Sequence, residues 1–467
     1  MIKPLLLSEL CARFGGELVN GDASFSAIAT DSRKQMDAAL FVAIRGENFD
    51  AHDYLDQAIE NGAIALLVNK AAGDQVKKST VPTWLVDDSI LALGHIARAQ
   101  RDHYQGILFA ITGSNGKTSV KGMLENILCA AAGKDKVFAT KGNLNNHLGV
   151  PFSLLAMNAQ CQYAVIEMGA SALGEIDYLS HIAQPHFALV NNVSPVHVEG
   201  FGSVDNIALA KSEIYDHLLD SGAAIINADD HYSPQWLTKN THRKNVTFSA
   251  KKTTADVFVS DKYINNQHCY RFLLSANQQH ISVQLNVLGE HAVMNAAAAA
   301  SLALAANIEL GSIKVGLESF VGVSGRLQVS QDPLGNTLID DTYNASPKSM
   351  RAAIDVLADF DEQKILVIGD MGELGEAAAQ QHESIGRYAK EKNITRLYGL
   401  GELSKHAVAA FGENAYAANT IDEMMGQVGS FLTKPSCVLV KGSRSAKMER
   451  VIHYLKQSGE TDASLVS

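Results

Sequence analysis

ITGSNGKTS, residues 111–119, is the stretch of sequence that decides the fold. The apolar run ILFAIT leads into it as a predicted strand, and VKGMLENILCAAAG continues from it with the spacing of a helix. A strand that passes through a glycine turn into a helix directs backbone N–H groups and the helix dipole at one point, which suits a phosphate chain. In such a loop Lys117 would reach the outer phosphates and the Thr118 hydroxyl would bind Mg²⁺. The sequence therefore predicts a site for a nucleoside triphosphate.

The loop departs from the pattern G-x-x-x-x-G-K-[ST] at its start, because Ile111 stands where the first glycine belongs and Gly113 is the nearest substitute. The alternative is a strand-to-helix turn whose glycines only relieve strain, followed by a surface lysine. The order of strand, glycine, lysine, threonine and helix favours the nucleotide site. Its candidate residues are Gly113, Ser114, Asn115, Gly116, Lys117, Thr118 and Ser119.

Apolar runs such as YAVIEMG, FALVNNV and AAIINADD follow the loop and alternate with segments of helical spacing. Short apolar strands between helices indicate a parallel sheet that is covered on both faces. Between residues 245 and 287, runs such as DVFVS and YRFLL alternate apolar and polar residues, which predicts an added antiparallel layer in the same domain. An alanine-rich helix over residues 291–307 closes this unit.

A small α/β unit precedes the loop, and a third strand-helix unit begins near Leu327. The 467 residues are enough for three domains at roughly 150 residues each. We therefore expect an α/β fold with a parallel-sheet domain at its centre. The predicted domains are residues 1–87, 88–321 and 322–467.

Charge and cysteine usage narrow the class of protein. The 39 Lys and Arg residues against 50 Asp and Glu residues give a net charge of −11, which argues against binding nucleic acid over a broad basic face. The five cysteines form no C-x-x-C pair, so neither a zinc site nor a disulfide framework is indicated. The N-terminal apolar run is too short for a signal peptide, and residues 296–306 fall short of a membrane span. We expect a soluble, cytoplasmic protein.

Polar residues near strand ends are further candidates. Glu167 ends the strand AVIEM, where a carboxylate would point into the ligand crevice and could bind Mg²⁺. A helix-capping or solvent-facing acid is the alternative, and the glycine loop upstream favours the metal. His197 lies in a predicted loop, where a single histidine is by default an ordinary polar residue. Lys211, in the helical segment ALAKSEI, is by default a solvated surface lysine.

Three polar segments have weaker signals. The asparagines of residues 140–151 suit sugar hydroxyls and phosphate oxygens, although asparagine is also common in turns. Residues 441–450, KGSRSAKMER, either bind an anion at a strand-helix junction or form a solvated basic turn. GDMGELG, residues 369–375, does not match G-x-G-x-x-G and is interpreted as a supporting turn.

Several of these segments together resemble the Mur ligase family, the ATP-dependent amide-forming enzymes of peptidoglycan precursor synthesis. The resemblance covers nearly the whole chain and includes TGSNGKTS, DSRK, LFVAIRGENFDAHD, GNLNNHLGVP, IEMGAS, DDTYNASPKSM, VIGDMGELG and VKGSRSAKME. It implies a three-domain architecture with a central P-loop domain and a C-terminal Rossmann-like domain. It also explains the missing first glycine, because the family has its own version of the loop.

The resemblance implies roles for particular residues. Lys117, Glu167, His197 and Lys211 would be catalytic, and Thr118, Glu167, His197 and Lys211 would hold Mg²⁺, at two metal positions, with Lys211 carbamylated by CO₂. Beyond the loop, the nucleotide would contact Asn227, His291, Asn295, Arg326, Asp341, Tyr343 and Asn344. The UDP-linked substrate would contact Ser32, Arg33, Asn143 and Asn146, and the acceptor's carboxylate would contact Lys441 and Arg444.

The implied activity is ATP-dependent addition of D-alanyl-D-alanine to UDP-N-acetylmuramoyl-tripeptide through an acyl phosphate, which gives the pentapeptide, ADP and phosphate. These small molecules are the expected partners of a protein that we expect to be monomeric. A sister ligase that adds the third amino acid and a folylpolyglutamate synthetase are the nearest alternatives. A nucleotide-binding regulatory protein without catalysis is an alternative of another class.

Overall fold

The computed structural model describes residues 1–76, 80–195, 198–432 and 435–462 of the chain. Within these ranges, three main sheets follow one another along the sequence, and helices pack against them. A short antiparallel ribbon, β1 (Leu5–Leu6) with β3 (Ser24–Phe25), lies apart from the main sheets. The architecture is the predicted three-domain α/β arrangement.

The N-terminal sheet has an antiparallel edge strand on an otherwise parallel core. Its strands, in spatial order, are β2 (Glu17–Val19), β7 (Thr83–Val86), β6 (Ala63–Asn69), β5 (Ala39–Val42) and β4 (Ala27–Ala29).

The central sheet carries the glycine loop at the end of its strand β8. Its nine strands in the described residues are, in spatial order, β16 (Gln279–Leu288), β15 (Cys269–Ala276), β14 (Val257–Ile264), β13 (Lys244–Ser249), β12 (Ala223–Asn227), β11 (Phe187–Val190), β8 (Ile107–Thr112), β10 (Tyr163–Glu167) and β9 (Val137–Ala139). The pairs from β9 to β14 are parallel, whereas β14, β15 and β16 are antiparallel. The predicted antiparallel strands therefore extend the edge of the same sheet, and the strand over residues 244–249 pairs in parallel.

The C-terminal sheet is parallel except for one edge strand. Its strands, in spatial order, are β17 (Gln328–Gln331), β18 (Thr337–Asp341), β22 (Ser436–Lys441), β19 (Gln363–Gly369), β20 (Arg396–Leu400) and β21 (Ala415–Ala418). Separate apolar clusters cover its two faces, as expected for a Rossmann-like domain.

The helices occupy connections between strands, except for the last helix, which follows β22. They are α1 (Leu7–Phe14), α2 (Leu55–Glu60), α3 (Gly73–Val76), α4 (Ser89–Asp102), α5 (Lys117–Ala132), α6 (Gly149–Leu155), α7 (Glu175–Ala183), α8 (Val198–Phe201), α9 (Val204–Ser212), α10 (Ser233–Lys239), α11 (His291–Ala305), α12 (Leu310–Glu318), α13 (Pro347–Ala358), α14 (Ala378–Glu391), α15 (Ser404–Phe411), α16 (Ile421–Phe431) and α17 (Glu449–Asp462). In the part of the chain that the structure describes, none of them has both the length and the apolar character of a membrane span.

Helix α5, which starts at the glycine loop, is fixed on several sides. Its residues Met123, Leu124 and Ile127 are fully buried in one cluster with the alanines of α11. Helix α12 approaches so closely that a β-carbon on Gly316 would lie 2.3 Å from the Cα atom of Ile127. Small residues in α11 and α12 therefore allow the packing that holds α5 against the sheet.

One apolar cluster is shared by the N-terminal and central sheets. Helix α4 begins after β7, and its Leu93 and Ile96 are fully buried in a cluster that also contains Trp84 of β7 and Leu108 of β8. The side chain of Asp88 caps this helix by accepting hydrogen bonds from the backbone N–H groups of residues 90 and 91. One continuous cluster thus joins the two sheets.

The β14–β15 hairpin joins the central sheet to the C-terminal domain. The His268 ring, in the hairpin turn, stacks on the Phe360 ring with centroids 4.0 Å apart and planes inclined by 20°. Cys269 and Leu288 of the central sheet belong to the same apolar cluster as Phe360. This contact fixes the edge of the cleft between the two sheets.

Candidate active site

A cavity of about 980 Å³ lies between the central and C-terminal sheets. It opens at the C-terminal ends of β8, β10, β11 and β12, which is where parallel α/β sheets bind ligands. It brings together candidate residues from distant parts of the sequence. The predicted residues that line it are Gly113, Ser114, Asn115, Gly116, Lys117, Thr118, Ser119, Asn146, Glu167, Lys211, Asn227, His291, Asn295, Arg326, Asp341, Tyr343, Asn344, Lys441 and Arg444.

The glycine loop has the conformation that its sequence predicts. Gly116 precedes α5 with a φ of 79°, and Gly113 has a φ of 151°, so both favour glycine. The Lys117 Nζ atom donates a hydrogen bond to the Gly113 carbonyl oxygen at 2.7 Å, which folds the side chain back over the loop. Removal from water lowers the pKa of Lys117; nearby Glu167 opposes this shift, and the charge of Arg326 adds to it.

Two asparagines that the sequence did not single out hold the loop in place. Asn191 and Asn192 follow β11, and both side-chain amides donate to the Asn115 carbonyl oxygen, at 2.9 and 3.0 Å. Asn191 also donates to the Asn295 Oδ1 atom at 3.0 Å, and its own carbonyl oxygen accepts from Asn227 at 2.9 Å. Their position directly after a buried strand was the signal that could have identified them.

Glu167 lies at the centre of a buried polar cluster. Its Oε1 atom accepts hydrogen bonds from the Thr118 hydroxyl at 3.2 Å and the Asn145 amide at 2.8 Å. Its backbone N–H donates to the Thr140 hydroxyl at 3.0 Å. The Oε2 atom is buried and has no hydrogen-bond partner among the described residues. A carboxylate with one oxygen held and the other free of hydrogen bonds fits a cation ligand.

The donor set around Glu167 suits Mg²⁺ better than a transition metal. Thr118 and Glu167 offer hard oxygen atoms, which Mg²⁺ prefers. No group of three or more His, Cys, Asp and Glu side chains in the described ranges could hold a metal by itself. Phosphate oxygens and water would supply the other ligands, as is usual for Mg²⁺. His197, the predicted ligand of a second metal, lies outside the described residues.

Lys211 is buried, contrary to the default expectation of a solvated helix lysine. Its relative exposure is 2%, and its Nζ atom lies 5.7 Å from the centroid of the Phe201 ring. Burial, with a smaller contribution from the charge of Lys117, lowers the pKa of Lys211 to about 7. A substantial neutral fraction at neutral pH makes this amine a nucleophile.

Arg326 reaches the cavity from the segment that links the central and C-terminal domains. Its guanidinium carbon lies 4.4 Å from the centroid of the Tyr343 ring, and its Nε atom is buried without a hydrogen-bond partner among the described residues. The turn that carries it is held by a hydrogen bond from the Tyr343 N–H to the Gly325 carbonyl oxygen at 3.0 Å. A half-buried arginine whose buried Nε donor is unused is suited to an anionic ligand.

The C-terminal candidates differ in how far they are available to a ligand. The Lys441 side chain is 3% exposed; its Nζ atom lies 2.6 Å from Asp341 Oδ2 and donates to the Asn344 carbonyl oxygen at 2.9 Å. The Arg444 side chain is 68% exposed and lies 3.6 Å from Glu449. The buried pair of Lys441 and Asp341 thus shapes the cavity wall, whereas Arg444 is accessible at its rim.

Comparison with known proteins identifies the family. The Mur ligase catalytic-domain, middle-domain and glutamate-ligase-domain profiles match residues 24–101, 111–303 and 325–444. The UDP-N-acetylmuramoyl-tripeptide–D-alanyl-D-alanine ligase of Escherichia coli K12 is 38% identical over 97% of this chain and 98% of its own length. The chain belongs to the Mur ligase family. It is accordingly an ATP-dependent peptide ligase, as the resemblance of its motifs implied.

Solved structures of Mur ligases agree with the fold. MurF from Acinetobacter baumannii is 34% identical and superposes with a TM-score of 0.89 over 98% of this chain and 99% of its own. MurF from Thermotoga maritima, solved in complex with ADP, is 27% identical and has a TM-score of 0.79 over 93% of this chain and 98% of its own. The three-domain Mur ligase architecture with a central P-loop domain is therefore confirmed.

Three candidate residues of this Mur ligase do not line the cavity. Ser32 is buried and donates to the Gln57 Oε1 atom at 2.8 Å, while the exposed Arg33 pairs with Asp31 at 2.8 Å. Asn143 is exposed in the loop before α6. Their predicted contacts with the UDP-linked substrate stay predictions.

The asparagine-rich loop of residues 140–151 contributes differently from what its sequence suggested. Asn146 lines the cavity, and its Oδ1 atom also accepts from the backbone N–H of Gly149 at 2.9 Å at the start of α6. Asn145, which was not a candidate, is the residue that contacts Glu167. Asn145 and Asn146 are the same residue type at neighbouring positions, so the sequence alone does not show which of them contacts Glu167.

Proposed function

We propose that this chain joins the terminal carboxylate of UDP-N-acetylmuramoyl-tripeptide to the amine of D-alanyl-D-alanine, with hydrolysis of ATP to ADP and phosphate. The observation that carries the proposal is the single cavity in which the glycine loop, Glu167, Lys211 and Arg326 meet. The named activity of the E. coli relative, which this chain matches almost end to end, supports it.

The chemistry requires activation of a poor electrophile. The carboxylate oxygen of the tripeptide attacks the γ-phosphorus of ATP, and the bond to the β–γ bridging oxygen breaks, which releases ADP and gives an acyl phosphate. The amine of the dipeptide then attacks the acyl carbon, and phosphate leaves as the amide forms and a proton is lost. No protein nucleophile is needed, so the protein contributes positioning and charge stabilisation.

Two cations that line the cavity suit this role. Lys117 lies over the glycine loop, and Arg326 comes from the segment that links the central and C-terminal domains and has an unused Nε donor. Preorganised cations in a site with little water stabilise charge that develops on a transferring phosphoryl group. The adenosine part would lie near Asn227, His291 and Asn295, with contributions from Asp341, Tyr343 and Asn344.

Thr118 and Glu167 would hold one Mg²⁺, and His197 with Lys211 would contribute to a second. When bound, Mg²⁺ neutralises phosphate charge and orients the phosphoryl group. The hydrogen bonds of Glu167 to Thr118 and Asn145 fix its carboxylate before any metal arrives.

Lys211 would bind its metal as a carbamate. The neutral amine adds to CO₂ through a new N–C bond and releases one proton, so that a neutral side chain becomes anionic; starting from the ammonium form, two protons are released in all. Its burial and its pKa of about 7 support this step, because the unprotonated amine is the reactive form. Carbamylation would also remove the repulsion between Lys211 and Lys117.

The three predicted domains, residues 1–87, 88–321 and 322–467, would each hold one ligand. Ser32 and Arg33 would receive the uridine end of the substrate, and Asn143 and Asn146 its diphosphate-sugar part. Arg444 lies at the cavity rim, where its guanidinium would bind the carboxylate of the dipeptide. Lys441, which is buried deeper in the cavity wall, would add positive charge near the same carboxylate.

The decisive experiment measures ADP release with each combination of muramoyl substrate and acceptor. We expect activity only with UDP-N-acetylmuramoyl-tripeptide and D-alanyl-D-alanine together, and we would test tripeptides ending in lysine and in diaminopimelate. Lys117→Ala and Glu167→Ala should abolish this activity without loss of folded structure. Turnover with a single amino acid as acceptor would instead favour a sister ligase or a folylpolyglutamate synthetase. ATP binding without turnover on any acceptor would favour the regulatory alternative.

A separate experiment tests the carbamate. Lys211→Ala should lose activity and regain part of it with short carboxylic acids, which replace the carbamate oxygen atoms. Wild-type protein in ¹³C-bicarbonate should show a carbamate carbon signal by NMR that Lys211→Ala lacks. Normal activity of the variant without added acids would refute the role.

A further inference from the structure

A buried lysine that the proposed mechanism does not use lies beside Glu167. Lys121 is one helical turn after Lys117 in α5, and its side chain is 8% exposed. Its Nζ atom donates to the Thr140 carbonyl oxygen at 2.8 Å and lies 3.7 Å from Glu167 Oε2. Lysine is rarely buried unless it is paired, because removing an ammonium from water is costly. The carboxylate therefore explains the burial of Lys121.

The geometry of this pair compensates the charge of Glu167 without a hydrogen bond to its Oε2 atom. A separation of 3.7 Å is an ion pair but is too long for a hydrogen bond. The Thr140 carbonyl oxygen holds the ammonium in this position, and the Thr140 hydroxyl holds the backbone of Glu167. The Oε2 atom consequently remains buried, charge-compensated and without a hydrogen bond from the described residues.

We propose that Lys121 is the resident counterion of Glu167, a positioning residue that compensates this carboxylate in the metal-free enzyme and leaves Oε2 free to bind Mg²⁺. The inference rests on the metal position proposed above. Because the lysine and the metal are both cations near one carboxylate, each weakens the binding of the other. Lys121 therefore lowers the affinity for Mg²⁺ while it stabilises the metal-free state.

Lys121→Met tests this role because it removes the charge and keeps an unbranched side chain. The matched control is Lys364→Met, since Lys364 Nζ also donates to a backbone carbonyl, that of Ala358 at 3.0 Å, but lies in the C-terminal sheet. Melting temperatures are measured in EDTA, in EDTA with ADP, in Mg²⁺ alone and in Mg²⁺ with ADP. The Mg²⁺ concentration for half-maximal stabilisation is then obtained at fixed ADP.

In EDTA we expect Lys121→Met to melt below both wild type and the control. Saturating Mg²⁺ with ADP should remove at least half of this difference in melting temperature. The half-saturating Mg²⁺ concentration of Lys121→Met should be about tenfold lower than that of wild type, which is within the usual range of coupling between two sites. A deficit of equal size with and without Mg²⁺ would overturn the proposal, because Lys121 would then serve packing alone. Lys121→Arg, which keeps the charge, should restore the wild-type dependence on Mg²⁺.

A double-mutant cycle in EDTA separates this inference from the proposed function. If Lys121 acts through Glu167, Lys121→Met should cost much less in a Glu167→Gln background than in wild type. If the losses of stability of Lys121→Met and Glu167→Gln simply add in the double variant, the pairing of the two residues is overturned, independently of the results with Mg²⁺. If Mg²⁺ with ADP stabilises wild type no more than ADP in EDTA, the metal position itself fails, and the proposed role of Lys121 toward Mg²⁺ fails with it.

Discussion

Replacing Gly116 by alanine tests whether the shape of the glycine loop depends on its asparagine neighbours. A β-carbon at this position would lie 2.5 Å from Asn295 Oδ1 and 2.6 Å from Asn191 Nδ2, two atoms that are hydrogen-bonded to each other. The new methyl group would therefore separate a buried pair and shift the asparagine that holds the Asn115 carbonyl. We expect the loop to lose the conformation that binds phosphate.

Gly174 provides a matched control in the same domain. It precedes α7 with a φ of 83°, close to the 79° of Gly116, but a β-carbon there would have no neighbour within 4 Å. Both substitutions carry a backbone cost of about 1–2 kcal/mol for the left-handed conformation. Gly116→Ala adds about 1 kcal/mol for the lost hydrogen bond and about 1–3 kcal/mol for overpacking. The difference between the two variants is therefore about 2–4 kcal/mol.

Calorimetric titration with ADP and Mg²⁺, together with urea unfolding, measures both effects. Gly116→Ala should unfold at lower urea concentration than Gly174→Ala and bind ADP at least tenfold more weakly than wild type, which is about 1.4 kcal/mol. Gly174→Ala should keep the wild-type affinity within about twofold, since it leaves the loop intact. Equal ADP affinities for the two variants would refute the reasoning, because the backbone conformation alone would then account for both.

Three further predictions concern the cavity and its walls. Because the pKa of Lys211 is lowered to about 7, the unfolded chain binds more protons than the folded one between about pH 7 and 10. In CO₂-free buffer the free energy of unfolding should therefore rise with pH over this range, by up to about 1.4 kcal/mol per pH unit. Urea unfolding of Lys211→Met should lack this rise, and a pH slope equal to that of wild type would contradict the assignment. Arg326→Lys should reduce kcat about 10- to 100-fold because lysine cannot reproduce the planar stack on Tyr343; wild-type kcat would exclude a phosphate contact. His268→Asn, which tolerates the φ of 58°, should widen the distribution of domain separations in small-angle scattering because it removes the stack on Phe360; an unchanged distribution would show that the ring contact does not hold the cleft.

The sequence predicted the parts of the site that depend on local chain geometry. The strand, glycine turn and helix around Lys117 follow from short-range patterns, and the place of Glu167 follows from the rule that strand ends face the ligand. Lys211 could not be predicted as buried from its helix alone, because its burial depends on Phe201 and the neighbouring elements. Asn191 was not singled out from the sequence, because the residues that it contacts, Asn115 and Asn295, are far away along the chain.

The pairing of strands was also beyond the sequence. Alternation of apolar and polar residues identified the strands between residues 245 and 287, but periodicity does not specify a neighbour. The strand over 244–249 pairs in parallel with β12, and the following hairpin extends the sheet at its edge. Partner choice depends on tertiary packing that no local pattern encodes.

The shared core of the first two sheets determines how the molecule could be divided. Leu93 and Ile96 of α4 cover residues of both sheets, including Trp84 and Leu108. A polypeptide cut before α4 would expose the apolar side of its N-terminal sheet to water and would be prone to aggregate. The shared core also joins the N-terminal sheet to the domain that carries the glycine loop, so a shortened protein that keeps this loop with its core intact must keep the N-terminal sheet as well.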